Sequence, residues 1–188
     1  MSKRKGPPVV REERRLVAIA VARKIPSNIA KSIRKAYARF FKPANGRTEV
    51  FFDTSAFVKR YVAETGTDTV LEWCDRATEI GLSGIALPEI VSAFCRLRRE
   101  NRITDAQYRQ LKSLLLLDIE DAAICDLTPA VMAQTISALE NNVLRGMDAI
   151  HIGSAVTLKA DVFVSADQRQ LEAALGAGLR VEAVRNRG

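Results

Sequence analysis

Short apolar runs alternate with longer amphipathic stretches over most of this chain. Runs with strand character, rich in Val, Ile and Phe, lie at residues 49–53, 80–86, 123–127, 161–165 and 179–184. The stretches between them have helical periodicity, and they cover residues 68–77, 88–100, 104–117, 128–141, 146–158 and 168–175. Strands that alternate with helices predict an α/β fold with a mainly parallel sheet.

The first 47 residues follow a different pattern. Two short basic helices are predicted there, one over residues 11–24 that Pro26 ends, and one that begins after Ser27. Residues 43–46 contain Pro, Asn and Gly and predict a linker. We therefore divide the chain into a basic N-terminal extension, residues 1–47, helical or partly disordered, and a globular domain, residues 48–188.

The charge is divided in the same way. The net charge of +7 combines an extension with 14 Lys and Arg against two acids, a net of +12, and a remainder with 15 against 20, a net of −5. A basic segment of this kind indicates contact with nucleic acid or a membrane surface. That indication applies to the extension only.

The scarce residue types exclude several kinds of chemistry. Cys74, Cys95 and Cys125 have no zinc-site spacing, so we expect reduced core thiols in a cytoplasmic protein. His151 is the single histidine, which excludes multi-histidine metal centres. There is no GxSxG or GxxxxGK[ST] motif, and no apolar run approaches the roughly 18 residues of a membrane span. Any catalysis must therefore come mainly from carboxylates.

Four acids occupy informative positions. Asp53 and Asp167 each follow a predicted strand, and ligands of parallel sheets bind at the carboxyl ends of strands. Glu89 and Asp148 begin predicted helices, and Asp148 shares a face with apolar residues. Each acid has an ordinary structural interpretation, as a helix cap or as a first-turn partner of the helix dipole. Four such acids together make a shared cation site the more economical interpretation.

The motifs around these acids resemble those of PIN-domain ribonucleases, and most of all the VapC toxins of bacterial and archaeal toxin–antitoxin pairs. The chain contains VFFDTSAFVK at 50–59, LPEI at 87–90, RGMDAIH at 145–151 and FVSAD at 163–167, in the order of the family. The resemblance implies a PIN-like three-layer α/β/α fold over residues 48–188 and a metal-dependent endoribonuclease that hydrolyses RNA phosphodiester bonds.

The resemblance also implies a role for each acid. Asp53 and Asp148 would be the principal ligands of Mg²⁺, with Mn²⁺ as the alternative ion, and Asp167 would complete the site directly or through water. Glu89 would be an outer ligand or would orient the attacking water. Ser55 and Ser165 match small hydroxyl positions that support the first and last acids. His151 is assigned to packing or to a polar contact.

The family further implies a homodimer and a cognate antitoxin that blocks the active site. Residues 88–102 and 111–117 are candidate contact surfaces, although residues 114–117 fit a core helix better. Two other functions stay open: a non-catalytic PIN-like module that binds RNA or assembles a complex, and a nuclease or phosphatase that acts on another phosphoester.

The N-terminal extension is where this chain departs from the family pattern. Three interpretations stay open: a segment that binds the RNA backbone, an amphipathic pair that covers the acidic site, or a translated leader without a stable fold. We expect contact with RNA or with a partner.

Overall fold

The computed structural model describes residues 48–184, and in them a sheet of five parallel strands. The strand order across the sheet is β3-β2-β1-β4-β5, so the first strand is central. The strands are β1 (Glu49–Phe52), β2 (Glu79–Ser83), β3 (Ala123–Cys125), β4 (Val162–Ser165) and β5 (Arg180–Ala183). Every predicted strand is confirmed, and so is the parallel sheet.

Helices connect the strands. They are α1 (Thr54–Phe57), which continues into a 3-10 turn at Val58–Arg60, α2 (Thr67–Arg76), α3 (Ala86–Arg99), α4 (Asp105–Asp121), α5 (Pro129–Asn141), α6 (Gly146–Leu158) and α7 (Gln168–Gly176). Thr104 caps α4 in a capping box with Gln107, and Thr128 caps α5 through the backbone N–H of Val131. Thr is a favourable N-cap residue, and both threonines stand at the start of a predicted helical stretch.

The sheet has a hydrophobic core on each face, which confirms the three-layer α/β/α expectation. Alternate residues of β1 supply the two cores: Val50 and Phe52 pack with α1 to α4, whereas Phe51 packs with α5 to α7. Phe51 stacks on Phe163 of β4 at a centroid distance of 5.9 Å. Burial on both faces explains why β1 and β4 are almost wholly apolar.

Some element ends differ from the prediction. The apolar run at residues 80–86 was predicted as one strand, but β2 ends at Ser83 and α3 begins at Ala86. Helix α4 continues four residues beyond the leucine run that was expected to end it. Leu114 and Leu115 are buried as expected of a core helix, whereas Leu116 is exposed.

The cysteines are free thiols, but only Cys125 is buried, and Cys74 and Cys95 are half-buried. Between residues 48 and 184, no helix is both long and apolar enough to cross a membrane. The two basic helices, the linker and the boundary at residue 47 lie outside the described residues.

Candidate acidic site at the carboxyl edge of the sheet

Asp53 and Asp167 lie at neighbouring strand ends, because β1 and β4 pair in the centre of the sheet. The backbone N–H of Asp53 donates to the carbonyl of Val164 at 3.1 Å, which extends the pairing by one residue. Both acids also cap helices: Asp53 accepts from the N–H of Ala56, and Asp167 from the N–H of Arg169, each at 2.8 Å. The capping interpretation and the site interpretation are therefore compatible.

Asp53 is a buried carboxyl, with only 1% of its surface exposed. Burial raises the pKa of Asp53, and hydrogen bonds from Ser55, Ala56 and Ser165, with the charge of His151, act against that rise. Its Oδ2 atom accepts from the hydroxyl of Ser55 at 2.6 Å and from Nε2 of Gln170 at 3.1 Å. Among the described residues, its hydrogen-bond partners are neutral groups, and a buried carboxylate of this kind is stabilised by a bound cation.

Asp148 reaches the same place from the other face of the sheet. It lies half-buried in the first turn of α6, and its Oδ1 atom accepts from Nε2 of Gln170 at 3.3 Å. One amide nitrogen thus contacts both Asp53 and Asp148. The structure brings these two acids together, as the sequence predicted.

Asp167 follows β4, and two serine hydroxyls hold the backbone at this position. Oγ of Ser165 accepts from its N–H at 3.0 Å, and Oγ of Ser55 accepts from the N–H of Ala166 at 3.2 Å. Partial burial acts to raise the pKa of Asp167, but the hydrogen bonds and charge of Arg169 hold it below the ordinary value. Ser55 and Ser165 both lie where the resemblance expects supporting hydroxyls.

Glu89 belongs to a second cluster beside Asp53. Its Oε2 atom accepts from the hydroxyl of Thr54 at 2.5 Å and is 2.8 Å from Nε2 of His151. Burial acts to raise the pKa of Glu89, but the hydrogen bonds from His151 and Thr54 outweigh it and the pKa is lowered. His151 is 2% exposed, so its expected packing and polar contact are both present.

The four acids thus form a bridged pair with two neighbours, and not one tight cluster. Among the described residues, no three side chains of Asp, Glu, His or Cys converge on one metal position. The donor set still fits a hard divalent cation, because Mg²⁺ takes oxygen ligands from one or two carboxylates and fills its shell with water and substrate phosphate. Asp53 and Asp148 supply two such carboxylates.

Two residues at the site were missed in the sequence. Thr54 stands out only as part of the motif at 50–59, and none of the four motifs contains Gln170. The available signal for Gln170 was its place on the face of α7 that also carries Leu171 and Ala174, both of which are buried. A polar side chain on a buried helix face needs a polar partner, and here the partners are the two acids.

Comparisons with known proteins identify the family of this chain. The PIN domain family model matches residues 50–175 of the chain. The chain is 33% identical over 141 residues to ribonuclease VapC45 of Mycobacterium tuberculosis, covering 70% of this chain and 93% of the relative. It is 30% identical over 138 residues to ribonuclease VapC35 of the same species, covering 71% and 96%.

Solved structures share the fold at low sequence identity. A toxin–antitoxin complex from Klebsiella pneumoniae superposes with a TM-score of 0.55 at 12% identity, covering 73% of this chain and 98% of that one. FitAcB from Neisseria gonorrhoeae gives a TM-score of 0.53 at 14% identity, covering 70% and 95%. With the family match and the two relatives above, the chain belongs to the PIN-domain family and to its VapC group.

Proposed function

We propose that this protein is a metal-dependent endoribonuclease and the toxin of a type II toxin–antitoxin pair. The observation that carries the proposal is the pairing of Asp53 and Asp148 through one amide nitrogen at the carboxyl edge of the sheet. The VapC relatives named ribonucleases support the choice of RNA as the substrate. Retention of all four acids favours an enzyme over a non-catalytic PIN-like module.

Asp53 and Asp148 hold the divalent cation in this proposal, and Asp167 completes its surroundings directly or through water. When bound, a cation such as Mg²⁺ or Mn²⁺ supplies positive charge that activates water and offsets the charge that develops on the phosphate. Ser55 fixes the carboxylate of Asp53 in position. The raised pKa of Asp53 fits a cation ligand, because a positive charge would stabilise its ionised form.

Glu89 orients the attacking water. Thr54 and His151 both point hydrogen-bonding atoms at one of its carboxylate oxygens, and this holds the side chain in one orientation. Its lowered pKa keeps it ionised at neutral pH, as an acceptor of a water proton must be.

Cleavage of a single-stranded RNA by the purified protein tests the proposal. Cleavage is expected in Mg²⁺ or Mn²⁺ and is expected to stop in EDTA. The same reactions on single-stranded DNA and on a phosphomonoester test the other phosphoester functions. Cleavage of RNA that continues in EDTA would contradict the metal dependence.

A second copy of the chain and an antitoxin are the proposed protein partners. The Klebsiella structure is a toxin–antitoxin complex, which supports an antitoxin partner here. An exposed apolar stripe supports the second copy. It consists of Met132, Ile136 and Leu139, which are spaced so that they share one side of α5, and exposed Val143 lies just beyond the end of the helix.

The stripe suits a symmetric contact between copies. Glu140 is the only charged residue within α5, so two copies can meet there without bringing many like charges together. Ile136→Lys is expected to convert a dimer to a monomer in analytical ultracentrifugation, and Gln134→Lys, on another side of α5, is the matched control. A dimer that survives Ile136→Lys would exclude this face.

A further inference from the structure

Among residues 48–184, Gln170 is the residue whose side chain hydrogen-bonds to both proposed cation ligands. It lies in the first turn of α7, 4% exposed, with Nε2 at 3.1 Å from Oδ2 of Asp53 and 3.3 Å from Oδ1 of Asp148. Both carboxylates are acceptors when ionised, so the nitrogen end of the amide must face them. The orientation of this side chain is therefore set by the two acids.

The other end of the amide has no partner. Within residues 48–184, Oε1 of Gln170 is buried and accepts no hydrogen bond. A buried carbonyl without a donor is unfavourable, and the two carboxylate contacts must offset that cost. In this orientation the amide nitrogen has hydrogen-bond partners among the described residues, whereas the amide oxygen has none.

We propose that Gln170 is a positioning residue that holds Asp53 and Asp148 together in the metal-free protein and gives way when a divalent cation binds between them. This inference rests on the proposed function, which places the cation at the same two carboxylates. The amide nitrogen carries a partial positive charge and occupies part of the space between them. Oδ2 of Asp53 already accepts from both Ser55 and Gln170, and an ionised oxygen offers about two acceptor positions, so a cation at this oxygen competes with the N–H group of Gln170.

Rotation of the amide resolves that conflict within the side chain. The last torsion of Gln is broad and roughly two-fold, so nitrogen and oxygen exchange places at little cost. The exchange removes the N–H groups from the cation and costs the two hydrogen bonds to the carboxylates. Gln170 therefore stabilises the metal-free protein and weakens cation binding, because the cation must displace its two hydrogen bonds.

Gln170→Met tests this, because Met has a similar length and no N–H donor. This variant is compared with three other proteins. They are wild type, Gln168→Met as a control at an exposed position of the same helix, and Asp148→Asn as a variant that lacks a proposed ligand. Mn²⁺ binding is measured by titration calorimetry, and thermal unfolding is measured in EDTA and in saturating Mn²⁺.

Gln170→Met is expected to bind Mn²⁺ about threefold tighter than wild type and to melt about 3 °C lower in EDTA, with the difference shrinking in Mn²⁺. Gln168→Met should match wild type in both measurements. A purely structural role would lower the melting temperature equally with and without Mn²⁺ and leave affinity unchanged, and that result would overturn the inference.

Gln170→Glu provides a second variant in case Gln170→Met does not fold. It replaces the donor by an acid of the same shape, so it should also be less stable in EDTA and bind Mn²⁺ more tightly. If wild type binds Mn²⁺ and neither variant binds it more tightly, the proposed role of Gln170 is overturned but the proposed metal site is not. Wild type that binds no Mn²⁺ overturns the proposed metal site together with it.

Discussion

Nε2 of His151 lies 2.8 Å from Oε2 of Glu89. Since an ionised carboxylate only accepts hydrogen bonds, the histidine is the donor, and its Nε2 carries a proton. Thr54 donates to the same oxygen. In the proposed mechanism, the single histidine of the chain is therefore a positioning residue for Glu89.

His151→Leu is expected to lower RNA cleavage about tenfold, the lower end of what a hydrogen bond to a charged group contributes. The pKa of Glu89 should rise, because a donor that lowers it is lost. His151→Gln keeps an N–H donor at a similar distance from the backbone and should recover part of the rate. Cleavage rate against pH measures both effects, and a wild-type rate and pH profile in His151→Leu would exclude this role.

The pH dependence of stability tests the burial of Asp53. Its pKa is raised from an ordinary value of 3.8, so the folded protein retains this proton to higher pH than the unfolded chain does. The resulting stabilisation is present at low pH and is lost as the pH rises through the raised pKa. In EDTA, the melting temperature of Asp53→Asn relative to wild type should therefore increase between pH 4 and pH 7. A difference that stays constant with pH would argue against a raised pKa.

A buried ion pair fixes α1 and its 3-10 turn to α4. Arg60 makes two hydrogen bonds to Asp118, at 2.7 and 3.0 Å, and the hydroxyl of Tyr61 donates to the same carboxylate at 2.6 Å. Asp118→Ala leaves Arg60 buried without a counter-charge and should reduce the free energy of unfolding by about 3–5 kcal/mol.

Urea denaturation measures this loss, and an exposed pair provides the control. Glu100 lies 3.5 Å from Arg102 with both side chains exposed, so Glu100→Gln should change the free energy of unfolding by less than about 1 kcal/mol. Equal effects of Asp118→Ala and Glu100→Gln would show that burial of the first pair is not important.

The close crossing of α5 and α6 depends on Gly153. A Cβ atom at this residue would lie 2.5 Å from Oγ1 of Thr135 and 2.8 Å from the carbonyl of Val131. Gly153→Ala should therefore destabilise the protein by about 1–3 kcal/mol in urea denaturation. Gly176→Ala, in α7 with open space around the Cβ position, should be neutral or slightly stabilising. Equal stability of the two variants would contradict the close crossing.

Much of the fold could be predicted because the strands are short apolar runs bounded by turns and helix caps. The end of β2 was not predictable in this way, since Ile85, Ala86 and Leu87 continue the apolar run through a turn and into α3. The end of α4 could not be predicted from the sequence for a related reason. Asp118 looks like an exposed polar residue, but Arg60 and Tyr61 hold it against the domain.

The positions of Asp53 and Asp167 could be predicted because each follows a strand, and the carboxyl ends of parallel strands lie at one edge of the sheet. Their detailed contacts could not be. Gln170 reaches Asp53 across 117 positions of sequence, and Thr54 reaches Glu89 across 35. Such contacts follow from tertiary packing, which local periodicity does not encode.

The cleavage rate of Asp148→Asn tests the central claim most directly. The measurement compares single-stranded RNA cleavage by wild type, by Asp148→Asn and by Asp126→Asn, which changes an exposed acid that follows β3 at the edge of the sheet. Asp148→Asn is predicted to lose about 100-fold in rate while keeping its fold, and Asp126→Asn should keep the wild-type rate. An Asp148→Asn variant that cleaves RNA as fast as wild type would contradict the account.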